Sequence, residues 1–358
     1  MWGRKVNFRE CRMVTLHQLI NYTVNEVDLE KTFLLLGGIK NAVYYFKINS
    51  MQIIGMGGTG EINCPGIFDI LHVKYETLPP EKFINLIDNK QLEYTNYFYI
   101  IPVLSELLNR NVADVQNIGM LGQSFFIVDY ISQGKIYFKF DYEMTFMDIE
   151  ILRKLTVNEK WVVESEFGIY AIDKRELKNN QFITNMCKKN KTQLIKETVD
   201  DFFIDSKILG DKGTIRIDGL EVYDLILEHF KNIKAFLNSI EDENKYKGFL
   251  KYIYIQVLHI RKFILSGTDA YYRNEFNCIL HTLWGQNPLF QKNFQKWDTL
   301  ELLWRNFGRQ LSKNVTYKNI LDNQIEILDI IIDFIGEIKR FEIDTLKECK
   351  ILLEKIDY

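Results

Sequence analysis

The feature that most constrains the fold of this chain is a change in the spacing of its apolar residues near residue 175. Before this point, helical spacings alternate with short β-rich runs such as AVYYFKI and QSFFIVDYIS. After it, long segments repeat apolar residues at intervals near 3.6, which is the spacing of one helix face. The sequence therefore predicts an α+β domain over residues 1–175, followed by an all-α helical bundle over residues 176–358.

Composition narrows the class of protein. The chain has 358 residues, of which 47% are hydrophobic and 26% are charged, as is typical of a globular protein with a large core. A net charge of −3 favours neither a nucleic-acid nor an acidic-membrane partner. The five cysteines show neither a disulfide framework nor a C-x-x-C pair, and the first ten residues lack an apolar signal core. We expect a cytoplasmic protein with reduced thiols and no membrane span.

Several local signals predict individual elements. A helix should end at Gly37–Gly38, and another should start at Pro79–Pro80. The run YTNYFYIIPVL predicts a strand that breaks at Pro102. Two β-rich runs joined at Ser132–Gln133–Gly134 predict a hairpin, and Thr145 reads as the N-cap of a following helix.

Cys11 is the first candidate for chemistry. Leu16, Leu19, Ile20 and Val24 recur at helical spacing, so Cys11 lies at the beginning of a predicted helix. Unpaired backbone N–H groups and the helix dipole at that end stabilise a thiolate, which suits a nucleophile. The alternative is a small buried packing residue, the usual role of a lone cysteine.

The order of these elements resembles a known family. The stretches CRMVTLHQLINY, LLLGGIKNAVYYF, YETLPPEKFINLID and GQSFFIVDYISQGKIYFKFD follow the order of a papain-like (C39-like) cysteine fold. More closely, the chain resembles the butirosin biosynthesis protein H family, which transfers an acyl group from a carrier protein to an amine. The stretches GTIRIDGLEVYDLILEHF, YYRNEFNCILHTLW and WRNFGRQL are similar to the helical C-terminal domain of that family.

The resemblance implies a function and a set of site residues. Cys11 would be the nucleophile and Asp141, at the end of the hairpin, the orienting acid. The implied partners are an acyl or peptidyl carrier protein and a small amine acceptor, with no cofactor and no metal. The sequence leaves the oligomeric state open and is compatible with a homodimer.

One departure from the family concerns the general base. In this fold a histidine opens the hairpin, in a G-H-x-I-V-V-like stretch, but here Gln123 and Ser124 occupy that place in GQSFFIVDY. His17 is on the same helix as Cys11 but about 240° around its axis, so it is a poor partner. His72, in a strand-like run, is the remaining candidate in this domain, and an ordinary strand residue is the alternative.

Two functions follow from this pattern. The first is an acyl- or aminoacyltransferase of natural-product biosynthesis, in which Cys11 forms the acyl intermediate. The second is a catalytically inert relative that acts as a binding or scaffold protein.

The glycine-rich stretch GMGGTG lacks the lysine and the helix of a phosphate loop, so we interpret it as a flap. The remaining cysteines are interpreted as packing residues, apart from Cys64 in the same loop.

Overall fold

The computed structural model describes residues 11–40, 42–48, 51–57, 68, 71–104, 108–109, 123–139, 145–157, 168–209, 215–265, 272–314 and 317–356. The helices in these ranges are α1 (Cys11–Thr23), α2 (Leu29–Leu35), α3 (Pro80–Asp88), α4 (Ile149–Val157), α5 (Lys174–Lys178), α6 (Gln181–Met186), α7 (Lys191–Phe202), α8 (Glu221–Ser239), α9 (Glu243–Leu265), α10 (Arg273–Trp284), α11 (Gln291–Asn314) and α12 (Tyr317–Ile356). The strands are β1 (Ala42–Ile48), β2 (Met51–Gly57), β3 (Glu76–Leu78), β4 (Tyr97–Leu104), β5 (Gln123–Ser132), β6 (Lys135–Phe138), β7 (Thr145–Asp148), β8 (Ile169–Asp173), β9 (Ser206–Leu209) and β10 (Ile215–Asp218). The protein is therefore mixed α+β, with a helical C-terminal region.

The chain forms two compact units. The sheet unit comprises Arg9–Thr32 and Ile62–Lys189, and the helical unit comprises Met1–Phe8, Phe33–Glu61 and Asn190–Tyr358. The division into 1–175 and 176–358 stays a prediction. Strands β1 and β2 belong to the helical unit, together with the later helices, because β1 pairs with β10.

The sheet unit is built on a six-stranded antiparallel sheet with strand order β3-β8-β4-β5-β6-β7. In β5 the consecutive residues Phe125, Phe126, Ile127 and Val128 are all buried, as expected of a strand covered on both faces. Phe126 and Val128 belong to a core that also contains residues of α3 and α4. The alternating residues point to the opposite face, on which α1 packs.

The structure confirms the predicted hairpin, which is formed by β5 and β6. Ser132 pairs with Lys135, which leaves Gln133 and Gly134 as a two-residue turn. Both turn residues have positive φ, at 51° and 73°, as a type I′ turn requires. Glycine adopts this backbone region without steric cost, so the dipeptide determines where the chain reverses.

Three local predictions in this unit are wrong. Strand β4 continues through Pro102 to Leu104. Its pairing with β8 ends at Ile100, so no hydrogen bond to β8 requires the N–H that proline lacks. Thr145 is the first residue of β7, and Asp148 accepts the backbone N–H of Glu150 at 2.9 Å at the start of α4. His72 lies in a turn, and β3 begins only at residue 76.

The helical unit combines helices α7 to α12 with a four-stranded antiparallel sheet of order β2-β1-β10-β9. The predicted all-α character of residues 176–358 is therefore wrong for β9 and β10. These strands have only four residues each, too few to show a clear period, and one of them pairs with a distant segment. Trp297 and Trp304 are fully buried, as predicted, whereas Trp284 is half-buried.

The core of the helical unit also contains a buried ion pair. Arg273 and Glu342 have no exposed surface, and the Arg273 Nε donates to Glu342 Oε1 at 2.6 Å. The Tyr223 hydroxyl donates to the other carboxylate oxygen, and the guanidinium lies 5.4 Å from the centre of the Trp304 ring. This arrangement satisfies both charges inside the protein, where an unpaired charge is costly.

Candidate functional site

Helix α1 carries the predicted nucleophile. It begins at Cys11, and its first turn contains no acidic side chain that would oppose a thiolate. Leu16, Leu19 and Ile20 are buried, which confirms the predicted apolar stripe up to the end of the helix. The backbone of Cys11 is described, but its side chain lies outside the described part of the structure.

A buried hydrogen bond joins α1 to the hairpin. Thr15 Oγ1 donates to the backbone carbonyl of Phe125 at 2.6 Å. One turn further along the helix, Gln18 Nε2 donates to the carbonyl of Lys139 at 3.1 Å. The N-terminal half of α1 therefore lies beside the beginning of β5 and the end of β6.

This contact positions the elements that carry the predicted site. Gln123 and Ser124 are the first two residues of β5, and their backbones pair with β4 at Leu104 and Val103. Their side chains lie outside the described residues, as does the whole of Asp141, which follows Lys139 by two positions. The roles of Cys11, Gln123, Ser124 and Asp141 stay predictions, although three of the four lie on elements that are in contact.

His17 has a structural role. Its Nε2 lies 2.9 Å from the Asn21 side-chain nitrogen, and its Nδ1 lies 3.1 Å from Thr32 Oγ1. Asn21 also accepts the backbone N–H of Val27 at 2.8 Å, so its amide nitrogen must face the imidazole. Nε2 is then an acceptor and Nδ1 a donor. The ring thus links the end of α1 to α2.

His72 does not lie in a strand. It has a φ of 51° in an exposed turn, and its ring stacks on Phe182 at a centroid distance of 4.1 Å. The side-chain nitrogen of Asn180 donates to the carbonyl of His72 at 3.0 Å and holds the turn. These contacts are those of a packed surface residue.

The described side chains of other histidines and cysteines lie in packed surroundings. His281 stacks on Phe294 at 3.8 Å, and burial lowers the pKa of His229 to about 4. The side chain of His259 is outside the described residues. Burial raises the pKa of Cys349 to about 12, which makes this thiol a poor nucleophile. Cys187 and Cys278 are buried too, so these three cysteines are packing residues as predicted.

Two general features complete the description. In the described ranges, no group of three or more His, Cys, Asp or Glu side chains is arranged to hold a metal ion. Over the same ranges, every helix is too short or too polar to cross a membrane. The prediction of a glycine-rich flap is wrong for its first half, because Gly55, Met56 and Gly57 belong to β2 and pair with β1. The rest of that stretch and Cys64 lie outside the described residues.

Sequence reasoning missed Thr15 and Gln18, which dock α1 onto the hairpin. Both are polar residues within a mostly apolar stretch, and this is the signal that could have identified them. A buried hydroxyl requires a hydrogen-bond partner, but the sequence does not say which distant carbonyl supplies it.

Comparison with protein families and with curated proteins identified no relative of this chain. No protein-family model matches the chain, and no curated protein is significantly similar to it in sequence. Inferences about function therefore depend on the residues of this chain and their placement.

Proposed function

We propose that this protein is a cysteine-dependent acyltransferase with a papain-like sheet unit, similar to the butirosin biosynthesis protein H family. The observation that supports this most directly is the hydrogen bond from Thr15 to Phe125. It holds the helix that begins at Cys11 against the strand that begins with Gln123 and Ser124. A nucleophile and its activating groups must be supplied by neighbouring elements in this way.

The proposed reaction has two steps. The Cys11 thiolate attacks the carbonyl carbon of a carrier-protein thioester, and the carrier thiol leaves after taking up a proton. A small amine then attacks the Cys11 thioester, the carbon–sulfur bond breaks, and the amine loses a proton as the amide forms. Backbone N–H groups in the first turn of α1 would stabilise the oxyanion in both steps.

Replacement of the hairpin histidine favours acyl transfer over peptide cleavage. General-base assistance is typically worth about 10²–10⁴ in rate, and Gln123 or Ser124 would not supply it. A thiol tolerates this loss best, because a few per cent is ionised at neutral pH without help. Together with Asp141, Gln123 and Ser124 would polarise the surroundings of the thiolate.

The decisive experiment is mass spectrometry of the protein after incubation with an aminoacyl-loaded carrier protein. We expect a covalent acyl adduct on Cys11 that is absent from the Cys11→Ala variant and retained in Cys187→Ala, the matched control. An unmodified Cys11 together with unchanged turnover in Cys11→Ala would contradict the proposal.

The second candidate function is that of a catalytically inert binding or scaffold protein. The observation in its favour is the sequence GQSFFIVDY, which lacks the expected histidine. Iodoacetamide labelling of Cys11 against pH separates the two functions. An ordinary thiol with a pKa of about 8.5 is only about 3% ionised at pH 7, so labelling that is rapid below pH 7 supports catalysis. Labelling that rises only above pH 8 supports the inert protein.

A further inference from the structure

Two lysines and two aromatic rings form a cluster in the sheet unit, at the end of α1. The rings of Tyr22 and Phe98 meet edge to face, with centroids 5.0 Å apart. Lys174 Nζ lies 4.6 Å from the Phe98 centroid, and Lys178 Nζ lies 5.7 Å from the Tyr22 centroid. We call these four residues, together with the neighbouring Lys139, the lysine–aromatic patch.

Backbone carbonyls hold both ammonium groups in place. Lys174 Nζ donates to the carbonyl of Tyr94, and Lys178 Nζ donates to the carbonyl of Tyr22 at 3.0 Å. Lys174 and Lys178 are one helical turn apart on α5, so their side chains leave the same face. An ammonium has three N–H donors, so each lysine keeps donors for a ligand.

The positive charge of the patch is not neutralised by the described residues. Some lysines of this unit pair with carboxylates, as Lys82 does with Glu76 at 2.9 Å. Within the described ranges, Lys174 and Lys178 each bond to a backbone carbonyl and form no ion pair. A carbonyl oxygen fixes an ammonium without cancelling its charge.

The acidic residues nearest in sequence, Asp173 and Glu176, contact other groups, and Glu176 accepts from Lys74 at 3.4 Å. The Asp173 side chain accepts the backbone N–H of Arg175 at 2.7 Å and of Glu176 at 3.2 Å, and so caps α5. Burial lowers the pKa of Lys174, and the positive charge of Lys139 lowers it further. A group with lowered pKa in a cationic cluster is stabilised when an anion binds.

We propose that the lysine–aromatic patch binds a phosphate group carried by a small molecule. Phosphate is compact and multiply charged, and its oxygens accept from several ammonium groups at once. The rings of Phe98 and Tyr22 lie close to the two ammonium groups and help to hold them through cation–π contacts. Tyr22 is eleven residues after Cys11, about 17 Å along the helix, so this site is separate from the proposed nucleophile.

The test is calorimetric titration of the full-length protein with pyrophosphate at low ionic strength. We expect saturable binding that weakens at least about fivefold in Lys174→Gln and in Lys178→Gln, since each removes a hydrogen bond to a charged group. Lys82→Gln, which removes an exposed lysine from the same unit, should bind like the unaltered protein. Lys174→Arg should retain binding because it keeps the charge.

Four results would overturn the proposal. The first is the absence of saturable pyrophosphate binding, and the second is an affinity in Lys174→Gln and Lys178→Gln equal to that of the unaltered protein. The third is a loss of affinity in Lys82→Gln as large as in those two variants, and the fourth is binding of citrate as tight as that of pyrophosphate. If Lys178 serves only to cap α1, its glutamine variant will lower the melting temperature and leave pyrophosphate affinity unchanged. Circular dichroism checks that each variant is folded. If Lys174→Gln misfolds, the pyrophosphate affinity of Lys178→Gln tests the proposal, because Lys178 is exposed.

Discussion

The buried pair of Arg273 and Glu342 supports a prediction about how two single substitutions differ. Replacing Glu342 with leucine leaves an arginine that cannot lose its proton inside a core with no exposed surface. Replacing Arg273 with methionine leaves a carboxyl group that can become neutral, and burial already raises the pKa of Glu342. Both variants should lose about 3–5 kcal/mol of stability at pH 7, but only one loss should depend on pH.

The magnitude of the pH effect follows from the proton that Glu342 takes up. Without the arginine, the folded-state pKa of Glu342 rises further above its unfolded value of about 4.3. A raised pKa means that the folded state holds the proton more tightly, so stability is lost as pH rises and recovered as pH falls. One proton is worth about 1.4 kcal/mol per pH unit, so Arg273→Met should recover up to about 2.7 kcal/mol between pH 7 and pH 5.

Urea denaturation at the two pH values measures this difference. Trp297 and Trp304 are buried in the helical unit, so tryptophan fluorescence can follow its unfolding. With an m-value near 2 kcal/mol/M, each variant should lower the midpoint by about 2 M urea at pH 7. The double variant Arg273→Met/Glu342→Leu should recover most of the loss. Equal pH dependence in the two single variants, or a double variant as unstable as their sum, would refute the reasoning.

The remaining predictions concern four single substitutions. The pKa of His229 is lowered from 6.5 to about 4, so the folded protein loses at most about 3 kcal/mol of stability as pH falls through this range. In His229→Gln, the measured stability should therefore fall less steeply between these two pH values. Thr15→Val removes the bond to Phe125 and should destabilise the sheet unit by about 1–3 kcal/mol in urea denaturation, because a buried carbonyl loses its donor. Gly134→Ala, at a φ of 73°, should cost about 1 kcal/mol in melting experiments, whereas Gly248→Ala, exposed in a helix with open space around it, should stabilise by up to about 1 kcal/mol.

Sequence reasoning succeeded where the signal is local. Gly37 and Gly38 have positive φ after α2, Pro80 opens α3, and Gln133 and Gly134 reverse the hairpin, all as predicted. Each of these depends on the backbone freedom or restriction of a few adjacent residues, so no distant contact is needed to find it.

Predictions failed or stayed open where the outcome depends on distant partners. The strand through Pro102 depends on where its neighbour stops pairing, and Thr145 became a strand residue because β6 lies beside it. The predicted site consists of side chains from separate elements, and the described residues show only that α1 and β5 touch. A local pattern cannot specify such contacts, because they form between segments far apart in the chain.

The sequence by itself determined the apolar spacing, the turn residues and the cap residues of this protein, because these act within a few positions of the chain. The tertiary structure decided that Thr15 bonds to Phe125, that β1 pairs with β10, and that Arg273 meets Glu342. In each case a polar group leaves water during folding and must find a partner that sequence proximity does not supply.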